Sequence, residues 1–544
     1  MTLLQRCSVW LSSRIPGISA AAIQSDHGYS VDRLFAFHEY CQSASRWRVA
    51  LVLLLYSVPA LALLLILDWI PLQDPREAWS TNTVYWARIA VMTLVITAMV
   101  LRQGQLVLPV VGLTTKKIVA IVIGTTIGYT GTLMLLANYW MFPIPFALTL
   151  GGVIFAFYLN LFGTIALSVS DRANLQRFYN YTLQVGVQAS MGGVYPVYNA
   201  IFLTLDGVAQ LAFVLLLPVI KLTFKYVISK IQPSQSEFTI ATSSGVDIFD
   251  ALYMSKCMQS CGTLAVGFGV VFVDLVQNYV AIRSLSRQSH TLQPKYTRDH
   301  NNRFDTTKLL PFACELLEKT KWLDSSQALR FSASDRFQIS VASQGEINRL
   351  QSLRAPEIGV AAHEADVLST KRSMRSVVPL QPINVWRSSS SNSESRVNST
   401  SIVRDVSRQL HMSEKVAIVE YVETVAPVFY ALYLVIVFHL PNAKYYHDMA
   451  NLTEAKIHNV VINIMVYAVL ELLSMVYVHL MIKRHFGVSV FYQVAFSLES
   501  EWRVYQCYFF IWTLIVFQYL LIHNGKCVDF CYEHVWRKKN TLTP

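Results

Sequence analysis

Runs of about 20 apolar residues recur along this chain, and that length crosses the roughly 30 Å hydrocarbon core of a bilayer. Nine such runs are legible, at 49–70, 84–101, 118–139, 144–169, 199–221, 262–283, 416–440, 459–482 and 504–523. Inside a bilayer each backbone N–H and C=O must find a partner within the protein, so runs of this kind fold as helices. Composition agrees. Of 544 residues, 53% are hydrophobic and 15% charged, with a mean hydropathy of +0.38; soluble domains carry about 25% charged residues. The expected fold is all-α, a polytopic membrane helical bundle of about nine transmembrane helices (range 8–10). Disorder, a secreted disulfide scaffold and a cytosolic enzyme are excluded. The membrane itself is not specified by the sequence, with plasma membrane or endomembrane favoured over mitochondrial.

The polar stretches divide the chain into a cytosolic tail (1–47), a six-helix transmembrane region (48–283), a polar, partly disordered cytosolic insert (284–415), a three-helix transmembrane region (416–523) and a C-terminal tail (524–544). Orientation follows from the excess of Lys and Arg in cytoplasmic loops. Residues 102–117 carry Arg102, Lys116 and Lys117 without an acid, and face the cytosol; 71–83, with Asp74, Arg76 and Glu77, face out. The N-terminus and the insert then both lie inside, and Lys483–Arg484 agree. The insert has 20 Lys/Arg against 13 Asp/Glu over 283–415, which is +7 of the net +11. That charge is the ordinary mark of cytoplasmic loops, and no basic stretch interleaved with aromatics points to nucleic acid. Trp47, Trp69, Trp86, Tyr139, Trp140 and Trp502 fall where helix ends meet the headgroups. The stretch 194–229 reads as one span, 199–221; a hairpin at Asp206–Gly207 would make ten.

Within the insert, Leu309, Leu310, Phe312, Leu316 and Leu317 recur at helical spacing and predict a short amphipathic helix, lying on the membrane or docked on the bundle. The serine-rich run Arg387–Arg396 has nothing to bury and is expected to be disordered. Ser-x-Trp-Arg-Val occurs twice, ending at Val49 and Val504, and hints at a duplication of the outer helices. Gly124, Gly128 and Thr132 recur every fourth residue, a seam for close helix approach. Pro59, Pro218 and Pro427 lie within spans, where each removes a backbone donor.

A charge at mid-membrane costs at least about 2.5–3.5 kcal/mol, so each one asks for a reason. Asp274 stands in the sixth expected helix, Glu471 in the eighth and Asp206 in the fifth. Together they form a candidate intramembrane polar path for protons or a cation, against which stands a role as packing glue between helices. Arg88 is expected to snorkel to the outer headgroups, meeting Asp68 or Asp74. Glu420 and Glu423 share a face where the seventh helix enters the membrane; they could bind a cation or a basic partner, and are expected rather to meet cytosolic water or the basic insert. Cys257/Cys261 and Cys527/Cys531 are expected on the outer side, as disulfides or reduced bystanders; with His534 they match no zinc spacing. Of the three N-x-[ST] sequons only Asn451 falls in an expected outer loop, while Asn180 and Asn398 face the cytosol. Nucleotide-loop, zincin, serine-hydrolase and potassium-filter motifs are missing. No cofactor, no metal and no enzymatic activity are expected. Two functions fit: transport of an ion or small solute through the bundle, or a membrane scaffold or signalling protein whose 284–415 insert binds cytosolic partners.

Ile70-Pro-Leu-Gln-Asp-Pro75, Phe249-Asp-Ala-Leu-Tyr-Met-Ser-Lys-Cys-Met-Gln-Ser260, Val419-Glu-Tyr-Val-Glu423, His439-Leu-Pro-Asn-Ala443 and Gln493-Val-Ala-Phe-Ser-Leu-Glu499 resemble stretches of an uncharacterised family of multi-pass transmembrane proteins abundant in oomycetes. The resemblance implies a shared fold and membrane residence. It brings no activity, substrate or site residues.

Overall fold

The structure, a computed structural model, describes residues 28–144, 147–167, 172–202, 216–231, 239–260, 309–319, 339–352, 390–446, 452–518 and 521–524, with single positions between them. It is an all-α bundle, without a β-strand among the described residues. Among the described residues six helices are long and apolar enough to cross a membrane: 46–69, 83–107, 115–139, 150–167, 402–438 and 454–486. They coincide with the first, second, third, fourth, seventh and eighth expected spans. Their outward faces carry Leu54, Ile66, Ile127, Val153, Ile165, Leu473 and Leu480, all largely exposed. Apolar surface on this scale belongs against lipid.

A short helix, α1 (Val31–Ser43), precedes the first crossing and is capped by Ser30, whose hydroxyl accepts from the Arg33 amide. The crossing itself is two helices, α2 (Arg46–Leu55) and α3 (Val58–Trp69). Pro59 cannot donate to the carbonyl of Leu55, and the helix breaks there. Gln506 makes use of the break, donating to the Tyr56 carbonyl at 2.7 Å. Next come α4 (Thr83–Val107), α5 (Thr115–Tyr139) and α6 (Ala147–Leu167). The glycine seam of α5 faces α6: a Cβ on Gly124 would lie 2.7 Å from the Phe162 ring, and one on Gly128 2.5 Å from the Tyr158 ring. Gly128→Ala is therefore expected to lower the melting temperature of the purified protein, by about 1–3 kcal/mol of stability for an overpacked contact. Gly131→Ala is the control, since a Cβ there meets nothing within 4 Å.

The fifth expected span is corrected. Helices α7 (Arg172–Ala189) and α8 (Met191–Phe202) are followed by a separate α9 (Leu216–Ile231). The rings of Tyr198 and Phe213 stack at 4.7 Å, whereas on one continuous helix these residues would stand about 22 Å apart. The chain doubles back between α8 and α9. The next segment is corrected too: 222–261 is no outer loop but contains α10 (Thr239–Ser260), buried along most of its length. Cys257 sits within it, buried in the bundle rather than on an outer surface. The expected sixth span, 262–283, lies outside the described residues except for three single positions.

From the insert, α11 (Leu309–Lys319) and α12 (Val341–Ser352) are described. The amphipathic pattern of 307–322 resolves as docking on the bundle: Leu310, Ala313, Cys314 and Leu317 are buried, and α11 packs on α1 and on α13 (Ser390–Phe438). Helix α13 also corrects the expected disorder over 390–396, since its backbone is helical from Ser390; 387–389 lie outside the described residues. Extending an existing helix adds one hydrogen bond per residue fixed, so a polar run can continue a long helix it would not nucleate. The helices that follow are α14 (Glu454–Phe486), α15 (Val490–Ser500) and α16 (Trp502–Gln518). Gly487, at φ +68°, ends α14 in the left-handed conformation glycine favours, behind Lys483, Arg484 and His485 in the last turn.

Helix α16, the ninth expected span, is the centre of the bundle, packed by α3, α4 and α10. Its 17 residues are fewer than the expected 504–523, and 12 of them are buried. Gly245 of α10 lets the Tyr508 ring approach to where a Cβ would stand 2.5 Å from it. Phe249 of α10 then meets Trp512 edge-on at 5.0 Å. The two Ser-x-Trp-Arg-Val copies lie side by side, joined by an Arg48–Glu499 ion pair at 2.6 Å, with Trp47 and Trp502 exposed beside it.

Candidate functional site

Three networks of buried charge follow one another along α13. At its inner part, Arg33 of α1 bridges Glu414 of α13 and Glu501 at the entry to α16. The guanidinium lies over the Tyr29 and Phe496 rings, at 5.2 and 5.6 Å. Ser497 donates to Glu414, and Gln493 donates to the Leu410 carbonyl at 2.9 Å and to Tyr29 at 3.1 Å.

Toward the Phe438 end of α13, Asp68 is fully buried and pairs with Arg88 at 3.0 Å. It also accepts from Tyr433 at 2.9 Å, from Gln518 at 3.0 Å and from Tyr446. Arg88 donates to the Leu67 carbonyl and is 4% exposed. Snorkelling is thus corrected: with a buried carboxylate and a free carbonyl beside it, the guanidinium is satisfied inside. Asn442 seals this corner, donating to the Asp68 and Ile70 carbonyls and accepting from the Leu72 amide at 2.8 Å. Nearby His523 bonds the Gln73 carbonyl at 2.9 Å, and burial pushes its imidazole down to about 4, so the ring is neutral at ordinary pH.

Between the two lies the mixed network. From Glu414 to Glu423 is nine residues of helix, about 14 Å, and from Glu423 to Tyr433 another 15 Å or so. Here the Lys221 ammonium of α9 meets Glu423 of α13 at 2.8 Å and Asp250 and Asp247 of α10 at 3.0 and 3.4 Å. Lys225, one turn along, meets Asp247 at 2.6 Å. Tyr195 of α8 donates to Asp250 at 2.6 Å. Beside this cluster, Ser474 of α14 donates to Glu420 at 2.8 Å. Glu471, one turn from Ser474, is 2% exposed and interacts electrostatically with Glu423, Glu420 and Lys221. Its Oε1 is buried with no hydrogen-bond partner. Lys415 is within electrostatic range of Asp247 and Lys225. Five carboxyl groups thus face three lysines.

Of the expected polar path, Glu471 is buried in the bundle as anticipated, while Asp274 and Asp206 lie outside the described residues, as does Asn451. Glu420 and Glu423 are corrected: they are buried at 1% and 6% exposure and face α14 and α9, not water or the insert. Lys221, Lys225, Asp247 and Asp250 were not anticipated. Their signal is present in the sequence as two lysines four residues apart and two aspartates three apart, each pair on one helical face.

Among the described residues no group of three or more His, Cys, Asp or Glu side chains is arranged to hold a metal ion. A separate cleft of about 360 Å³ opens between α4 and α5, lined by Trp79, Trp86, Thr130 and Met134. Compared with known proteins, the chain matches no family model, no curated protein and no solved structure.

Proposed function

We propose that this membrane protein carries an ion or small solute through its bundle, with proton exchange at Glu471, Glu420 and Glu423 coupled to that movement. The observation that supports the reading is the Glu471 carboxylate, buried in a membrane-crossing helix with an oxygen lacking any partner. An orphaned buried acceptor costs about 1–3 kcal/mol and a charged one more, and Glu420 Oε1 beside Glu471 accepts no hydrogen bond either. Lys221 is already engaged by three carboxylates, and like charges in a low dielectric disfavour a fully ionised cluster. Such a cluster takes up a proton or releases one when its surroundings change. Acidic groups that face a bundle interior are common carriers in proton relays.

Purified protein in liposomes, loaded with a pH-sensitive dye and placed under a membrane potential, tests the reading. Wild-type protein moves protons, and Glu471→Gln loses at least tenfold of that flux while its melting temperature stays within a few degrees. Wild-type vesicles as tight as empty ones, or a Glu471→Gln protein with full flux, would remove the proposal.

A further inference from the structure

Helix α12 of the insert meets α1 through a cluster of polar contacts at its N-terminus. Ser340 caps α12: its hydroxyl accepts from the Ser343 amide at 3.3 Å and its carbonyl from the Gln344 amide at 2.9 Å. Against this helix start lies Glu39 of α1. Its Oε2 accepts from the Ser340 amide at 2.9 Å, and its Oε1 from the hydroxyls of both Ser340 and Ser343 at 2.5 Å. Partial burial pushes the Glu39 carboxyl up, but the two hydroxyls and the Ser340 amide outweigh it and hold the group below its ordinary value. An ionised carboxylate from another element therefore sits where the α12 N-terminus favours an anion. Apolar packing completes the contact, with Ile347 and Leu350 of α12 fully buried. Phe337 stacks on Phe496 of α15 at 6.1 Å, and Arg349 ties α12 to α11 through the Glu318 carbonyl at 2.7 Å.

We propose that Ser340 and Ser343 form a phosphorylation site whose modification releases α12 from α1. Ser340 is exposed and Ser343 half-buried. The insert faces the cytosol by the charge of the loops, where a serine kinase and a nucleoside triphosphate meet it. The γ-phosphoryl group passes to the serine Oγ: a P–O bond forms there as the bond to the β-phosphate breaks. The hydroxyl proton goes to the kinase's base, and the nucleoside diphosphate leaves. The modified Oγ has no hydrogen left to donate to Glu39. Close to two negative charges now stand against the carboxylate. The phosphate also serves the α12 amides that Glu39 served, so α12 keeps its helix while losing its dock. The inference is independent of transport.

Two measurements on the full-length protein test it. Mass spectrometry of protein taken from its native membranes should find phosphate on Ser340 or Ser343; its absence from both overturns the proposal. In nanodiscs, spin labels at Gln42→Cys and Gly345→Cys, in a background whose native cysteines are replaced, report the separation of α1 and α12. Incorporating phosphoserine at 340 should turn one short distance into a longer, broad distribution. Adding Glu39→Lys to the phosphorylated protein should restore the short distance, because the lysine attracts the phosphate. An unchanged distance in the phosphorylated protein, or no restoration by Glu39→Lys, rejects the mechanism.

Discussion

Asp68→Ala will cost this protein about 3–5 kcal/mol, the amount typical of a buried ion pair broken from one side. The substitution leaves the Arg88 guanidinium, 4% exposed, without its counter-charge. It also strips acceptors from Tyr433, Tyr446 and Gln518. These partners come from α13, the segment after it, and α16, so one carboxylate joins three parts at the Phe438 end of α13. Arg88→Ala should fall as far, because Asp68 is then the buried charge left over. The discriminating measurement is the double replacement Asp68→Leu with Arg88→Met. Removing both charges of a buried pair at similar volume is often neutral, so the double variant should recover more than half of the loss in thermal melts of detergent-purified protein. If its stability equals the sum of the two single losses, the pair is not the source of the effect.

The membrane-crossing helices were legible because hydropathy is a local signal: six of nine expected spans match helices of the structure within a few residues at most ends. The signal fails where a helix crosses the bundle without touching lipid. Helix α10 carries Asp247 and Asp250 and reads as a polar loop, yet these carboxylates meet Lys221 and Lys225 of α9 and Tyr195 of α8 rather than water. Helices α8 and α9 merge into one expected span because both are apolar where they approach each other; the reversal falls within 203–215, where Asp206–Gly207 marks the hairpin alternative. Glu420 and Glu423 were noticed, but their depth was misjudged. A charge near the end of an apolar run looks interfacial until the partner that neutralises it is known, and here the partner, Lys221, is about 200 residues away. Each of the five stretches 70–75, 249–260, 419–423, 439–443 and 493–499 supplies a member of a buried network: Ile70 and Gln73, Asp250, Glu420 and Glu423, Asn442, and Gln493 with Ser497. Those motifs are built around packing contacts between distant helices, which no local pattern reveals.

Lys221→Met should destabilise the protein by a similar 3–5 kcal/mol at pH 8, and the loss should shrink as the pH is lowered. Lys225 continues to neutralise Asp247 at 2.6 Å, and Tyr195 still donates to Asp250. The deficit therefore falls on Asp250 and Glu423, whose ammonium partner at 3.0 and 2.8 Å is gone. A proton on either carboxyl replaces the missing positive charge. The folded variant then binds more protons than its unfolded chain, and by linkage its stability falls as pH rises and recovers as pH drops. Wild-type protein, whose lysine supplies that charge at every pH in the range, should show a flatter profile between pH 5 and pH 8. Glu423→Gln added to Lys221→Met removes one acid along with the base, and should restore most of the stability at pH 8. Thermal melts of the three proteins at both pH values decide the matter. A Lys221→Met protein with the wild-type melting temperature at pH 8 would mean that the carboxylates are balanced from elsewhere. A loss that stays constant with pH would mean that it arises from packing of the long side chain rather than from its charge.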